Sequence, residues 1–174
     1  MMVSEDKSLH WFVLNVKPFM EKKAAAGLES MGFEYYLPVQ RTRRRWSDRY
    51  KVTDKLVIPR LLFIRTTHRD RLLPLKTLTY LRGYVTKRGT SVPIIIPDKQ
   101  MSDFIFAVTN IDGDMSLNTS SFKKGDYVVI VSGPLRGLKC QLVEVHGKKV
   151  IAVDMSELGI LTFEIEKSLI EIVK

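Results

Sequence analysis

A polar stretch, Asn110-Ile-Asp-Gly-Asp-Met-Ser-Leu-Asn-Thr-Ser-Ser121, interrupts this 174-residue chain and leaves two segments that must each find a core of their own. Its Gly, Asn, Asp, Ser and Thr content is that of a flexible connection. The expected organisation is therefore a domain over 8–109, a linker over 110–121 and a second domain over 122–174. Charge changes at the same place. Lys and Arg outnumber Asp and Glu by 20 to 10 before residue 110, and stand at 8 to 9 from there on. The basic first part suits a polyanionic partner; the neutral second part does not.

Before the linker, strand and helix signals alternate. Trp11-Phe-Val-Leu14 and Val16 make a short apolar run that suits a buried strand, and Pro18 ends it. Ala24, Leu28 and Met31 recur at i, i+4, i+7 and Gly32 follows, which predicts a helix over 20–31. Residues 33–39 and 56–66 read as strands, 68–78 as a weak helix containing Pro74, and 83–87 with 92–96 as a hairpin. Asp98 is placed to cap a last helix carrying Met101, Phe104, Ile105 and Val108 on one face. This order implies an α+β sandwich with helices on a mostly antiparallel sheet.

After the linker the helical period is gone. Residues 126–131, 140–145, 150–154 and 161–166 are short and rich in branched side chains, separated by Gly133-Pro134, His146-Gly147 and Leu158-Gly159. Such a pattern predicts a small all-β barrel of SH3 size. The runs Val128-Val-Ile-Val131 and Val150-Ile-Ala-Val153 disfavour helix, so this part is expected to remain a barrel.

Chemistry-bearing constellations are absent. His10, His68 and His146 have no ligand spacing, and neither a phosphate-binding Gly loop nor a nucleophile elbow is present. Asp112 and Asp114 lack the acidic residue that a calcium loop requires further on. The single cysteine, Cys140, excludes an internal disulfide and a Cys-cluster zinc site, and it sits on an expected strand as packing. No enzymatic activity, metal or cofactor is expected. No apolar run approaches the roughly 18–20 residues of a membrane span. The N-terminus, with Glu5 and Asp6, does not resemble a signal peptide, so a reducing cytoplasm is the expected compartment.

Two segments carry binding signals. Arg41-Thr-Arg-Arg-Arg-Trp-Ser-Asp-Arg-Tyr-Lys51 holds six cations and one acid, with Trp46 and Tyr50 interleaved, between two expected strands. It reads as a hairpin arm turning near Ser47-Asp48. Arg41, Arg43, Arg44, Arg45, Arg49 and Lys51 suit phosphates, while Trp46 suits an unpaired base. The second segment is Gly125-Asp126, followed by Gly133-Pro134-Leu-Arg-Gly137 after one strand.

That Gly-Asp opening, with Gly eight residues on and Gly four later, resembles the KOW motif. The first part resembles the NGN domain of NusG-type transcription factors. His10-Trp-Phe-Val-Leu14 matches its aromatic first strand, Glu21-Lys22-Lys23 its helix start, and Leu37-Pro38 the end of its second strand. Ile58-Pro59-Arg60-Leu61-Leu-Phe63-Ile64 stands at its Phe-Pro-Gly-Tyr strand, and Arg82-Gly83-Tyr84-Val85 and Ile96-Pro97-Asp98 follow in order. Arg60 and Leu61 replace that strand's Gly and Tyr. The arm at Arg44–Arg49 further resembles the specialised UpxY-like and RfaH-like paralogs, which implies antitermination on polysaccharide operons. The resemblance implies a non-catalytic monomer that docks on the RNA polymerase clamp through Ile58, Pro59, Leu61 and Phe63. Its arm would lie near DNA at the transcription bubble, and its KOW domain would be free to recruit a ribosomal protein or Rho-like factor. The alternatives are a general NusG factor, a ribosome-associated KOW protein that binds RNA, and an enzyme with an accessory barrel.

Overall fold

The structure, a computed structural model, describes residues 7–111, 114–118, 123–145, 148–164 and 167–173, and the side chains at 42–44, 46, 118, 123–124, 145, 148–149 and 167 lie outside the description. The chain divides into two compact units, Met1–Leu37 with Pro59–Asp98, and Pro38–Ile58 with Lys99–Lys174.

In the first unit β1 (His10–Val16) is the hub. After α1 (Glu21–Ser30) come β2 (Glu34–Tyr36), then β5 (Leu61–Thr66), α2 (Leu72–Thr77), β6 (Leu81–Tyr84) and β7 (Ile95–Ile96), with β3 and β4 lying in the other unit. The sheet order is β2-β5-β1-β6, β7 also pairing with β1, and every pairing is antiparallel. Alternation puts Phe12, Leu14, Val16, Leu62 and Ile64 on one face, where they pack with Ala24, Ala25 and Leu28 of α1 and with Leu78 and Leu81.

Several sequence expectations need adjustment here. Of the strand expected over 56–66 only Leu61–Thr66 forms β5; Leu56 ends β4, and residues 57–60 form a bend and a turn. The expected helix over 68–78 shrinks to six residues: Thr67 and Asp70 form a turn first, Asp70 N–H donating to Thr67 Oγ1 at 3.0 Å. Pro74 is tolerated because it falls at the third helical position, where an N–H has no intrahelical partner. The expected hairpin over 83–96 keeps its cross-strand bonds at Lys87–Val92 and Ile94–Val85, yet its regular strands pair with β1 instead.

In the second unit β3 (Val39–Trp46) and β4 (Arg49–Leu56) form a separate two-stranded ribbon. Most of α3 (Asp98–Asn110) follows, burying Met101, Phe104, Ala107 and Val108; Ile105 is only half-buried. The remainder is all β: β8 (Met115–Asn118), β9 (Lys123–Ile130), β10 (Lys139–Val145), β11 (Lys148–Asp154), β12 (Ile160–Phe163) and β13 (Ile170–Ile172). These form one six-stranded antiparallel sheet in the order β13-β9-β10-β11-β12-β8. The two units meet along the chain at Leu37–Pro38, Ile58–Pro59 and Asp98–Lys99, while the linker was expected over 110–121. Part of that stretch, Met115–Asn118, is a strand paired with β12, with Met115 buried opposite Phe163 and Ser116 Oγ 3.0 Å from Thr162 Oγ1. The remaining linker residues 112–113 and 119–121 lie outside the described residues, as do His146 and Gly147.

The motif glycines have distinct physical jobs. Between Gln141 and Val143 the register slips, so that Gly125 and Asp126 together oppose Leu142 in a β-bulge. A Cβ on Gly125 would stand 2.7 Å from the Leu142 carbonyl oxygen, and Gln141 Nε2 donates to the Gly125 carbonyl at 3.1 Å. Gly125→Ala should therefore lower stability by about 1–3 kcal/mol, read as a lower urea midpoint at unchanged slope. Gly133 and Gly137 adopt φ +80 and +90 around exposed Pro134, and Leu135 and Leu138 of that loop are buried.

Cys140 is buried, and burial first, with Asp103 nearby second, pushes its thiol up from 9.0 to about 12. At pH 8 it should resist thiol reagents in the folded protein and react once unfolded. Above pH 9 the unfolded chain releases this proton and the native one does not. Stability should fall as pH rises from about 9 towards 12, by at most about 1.4 kcal/mol per pH unit from this group.

Candidate nucleic-acid and partner interfaces

The ribbon is built by strict antiparallel register from Val39↔Leu56 to Trp46↔Arg49, closed by a two-residue turn at Ser47-Asp48. Ser47 takes φ +27, and its hydroxyl donates to Asp48 Oδ1 at 3.1 Å. At eight residues per strand the ribbon is about 26 Å long. Its base is fixed: Val57 N–H donates to the Pro38 carbonyl at 2.9 Å, and buried Gln40 donates through Nε2 to the Ile111 carbonyl at 2.5 Å. Lys55 pairs with Asp114 beside it.

Of the residues expected to meet nucleic acid, Arg41, Arg45, Arg49 and Lys51 are exposed on this ribbon, and Tyr50 and Val52 are 59% and 62% exposed among them. The side chains of Arg43, Arg44 and Trp46 lie outside the described residues; their backbone places Arg43 opposite Val52, Arg44 opposite Lys51 and Trp46 opposite Arg49. Like charges directly opposite destabilise a sheet pair. By backbone register Arg44 and Lys51 form such a directly opposed pair. Arg45 stands directly opposite Tyr50 in the register, and both side chains are exposed.

The four residues expected to face a protein partner do not stay together. Ile58 and Phe63 are buried at 5% and 0%, and Phe63 stands between Val13 and Tyr36 in the sheet with its ring 6.5 Å from that of Tyr36. These two are core, which removes them from the candidate surface. Pro59 is exposed and Leu61 half-buried. Between them Arg60 takes a left-handed backbone, φ +66, a region that glycine adopts without strain. Its N–H donates to Glu21 Oε1 at 2.9 Å and its carbonyl accepts from Val16 N–H at 2.8 Å. Glu21 was legible as an acidic residue in the first turn of a helix; its burial to 4% was not.

The structure also brings together two histidines that the sequence leaves far apart. His10 and His68 lie 5.3 Å apart between ring centroids, with Phe12 5.3 Å from His68 and Ser8 Oγ 2.7 Å from His10 Nε2. Among the described residues no group of three or more His, Cys, Asp or Glu is placed to hold a metal ion. Among them, too, no helix is long and apolar enough to cross a membrane.

A family model described as "Transcription termination factor nusG" matches residues 9–105, and a KOW motif model matches residues 124–154. The chain is similar to the solved structure "Domain interaction in Thermotoga maritima NusG", at 16% identity over 96% of this chain and 98% of that one, with a TM-score of 0.48. It is also similar to "Crystal Structure of MjSpt4:Spt5 complex conformation A", at 16% identity over 94% and 97%, with a TM-score of 0.31. Among curated protein sequences there is no match.

Proposed function

Because this chain belongs to the NusG family, a family of transcription factors, we propose that it binds bacterial RNA polymerase and promotes processive elongation without catalysing a reaction. The family match over more than half of the chain carries this reading. In it, the first domain docks on the polymerase clamp, and the exposed Pro59 and half-exposed Leu61 supply the apolar contact. The basic ribbon meets DNA at the edge of the transcription bubble. The KOW-bearing all-β region recruits a second protein, such as a ribosomal protein or a Rho-like factor.

The ribbon favours a specialised paralog over a general factor. Its exposed Arg41, Arg45, Arg49 and Lys51 form a dedicated polyanion surface, and the resemblance of this arm to UpxY-like proteins supports action on polysaccharide operons. A ribosome-associated RNA-binding role fits less well, since the chain from residue 110 onward is not basic.

The deciding experiment is affinity capture from a bacterial lysate with the full chain as bait. RNA polymerase should be retained; ribosomal subunits in its place would overturn the reading. Genome-wide transcript mapping after deletion separates the two kinds of factor. Readthrough lost at a few long operons supports the specialised role, and a change at most genes refutes it.

A further inference from the structure

We infer that Glu21 is a positioning residue for the polymerase-facing turn, holding Arg60 in the left-handed backbone conformation that presents Pro59 and Leu61. This rests on the docking reading given above. Four described residues other than glycine have positive φ: Phe19, Ser47, Arg60 and Ser156. An L residue with a Cβ resists that region, and a strained residue persists only where its surroundings over-determine it. At Arg60 those surroundings are explicit. The Glu21 carboxylate takes its N–H at 2.9 Å, and Val16 N–H bonds its carbonyl at 2.8 Å, so both polar groups of the residue are tied to β1 and α1.

Glu21 is built for this task. It is one of the few buried polar side chains, 4% exposed, and it opens α1, where unpaired N–H groups favour a negative charge. A hydrogen bond from a backbone amide to a buried carboxylate is among the stronger kinds. The residue pair thus replaces a glycine: the sequence gives up conformational freedom at position 60 and recovers the same turn through a carboxylate 39 residues away. Beyond the turn Leu61 starts β5 opposite Asn15, so the backbone angle at Arg60 fixes where the docking residues emerge from the sheet.

A double-mutant cycle on the full chain tests this, reading affinity for bacterial core RNA polymerase, with circular dichroism as the folding control. Glu21→Ala should weaken binding about tenfold or more. In an Arg60→Gly background the same change should cost less than about twofold, because glycine adopts the turn unaided. Equal losses in the two backgrounds, or no loss in either, would overturn the inference. Should Glu21→Ala fail to fold, Arg60→Val against Arg60→Gly makes the same test with Glu21 in place. Both lack the charge, but only valine resists the left-handed region, so valine should bind about tenfold more weakly; equal affinities would refute the role. Wild-type protein that does not bind polymerase at all refutes the docking reading, an outcome separate from these.

Discussion

Leu61→Glu is expected to abolish capture of core RNA polymerase while leaving the protein folded. Leu61 is half-buried at the start of β5, so a carboxylate there can reach water and the sheet keeps its pairing with Asn15. At the interface the same carboxylate would replace an apolar contact with an unpaired charge. Losses at such central apolar contacts reach about 2–4 kcal/mol, which is roughly thirty- to a thousandfold in affinity. Pro59→Glu, on the exposed neighbour, should act in the same direction with a smaller effect. Phe63→Glu makes the contrast. Its side chain is fully buried, so the charge should unfold the first unit instead of blocking a partner. Binding measured beside circular dichroism separates the cases, and a folded Leu61→Glu protein with undiminished binding would remove this strand from the interface.

Replacing Arg41, Arg45, Arg49 and Lys51 together by Gln should produce the second large effect, on DNA and not on polymerase. All four are exposed on the ribbon, whose base is held by the Gln40–Ile111 and Val57–Pro38 hydrogen bonds. Each duplex phosphate neutralised contributes about 0.9 to the slope of log affinity against log salt. If each of the four neutralises one phosphate, the slope should flatten by about 3.6, and affinity at low salt should fall by orders of magnitude. Fluorescence anisotropy on a forked duplex across a salt series measures both quantities. An unchanged slope in the variant would mean that these cations do not contact the phosphates. Tyr50→Ala adds a discriminating arm: it should weaken binding to the fork about five- to a hundredfold by loss of stacking and leave the slope intact.

The fold was legible wherever one local pattern dominated. The apolar run of β1, the Ala24–Leu28 face of α1 ended by Gly32, and the Ser47-Asp48 turn of the ribbon all follow from residue spacing. What the sequence hid were features decided by distant partners. Met115-Ser-Leu-Asn118 alternates apolar and polar for only four residues inside a polar stretch, so nothing local separates a linker from a strand awaiting β12. Likewise Ile58, Pro59, Leu61 and Phe63 look alike as a docking strand. Only the pairing of Phe63 between Val13 and Tyr36 shows which side chains the core takes. Glu21 and Arg60, 39 residues apart, could not be linked by any periodicity.

The placement of the ribbon has a consequence for how such proteins diversify. It is inserted between β2 and β5, two strands that are already hydrogen-bonded neighbours in the first sheet. The sheet therefore needs from this segment only that it return the chain to Pro59. Above the base held by Pro38–Val57, Gln40–Ile111 and Lys55–Asp114, the sheet places no demand on the length or charge of the arm. Doubling the length of such an excursion costs only about 0.6 kcal/mol in closure entropy. If the arm does meet nucleic acid as proposed, substitutions at its tip should alter that binding without unfolding the first sheet, whose β2–β5 pairing does not pass through it.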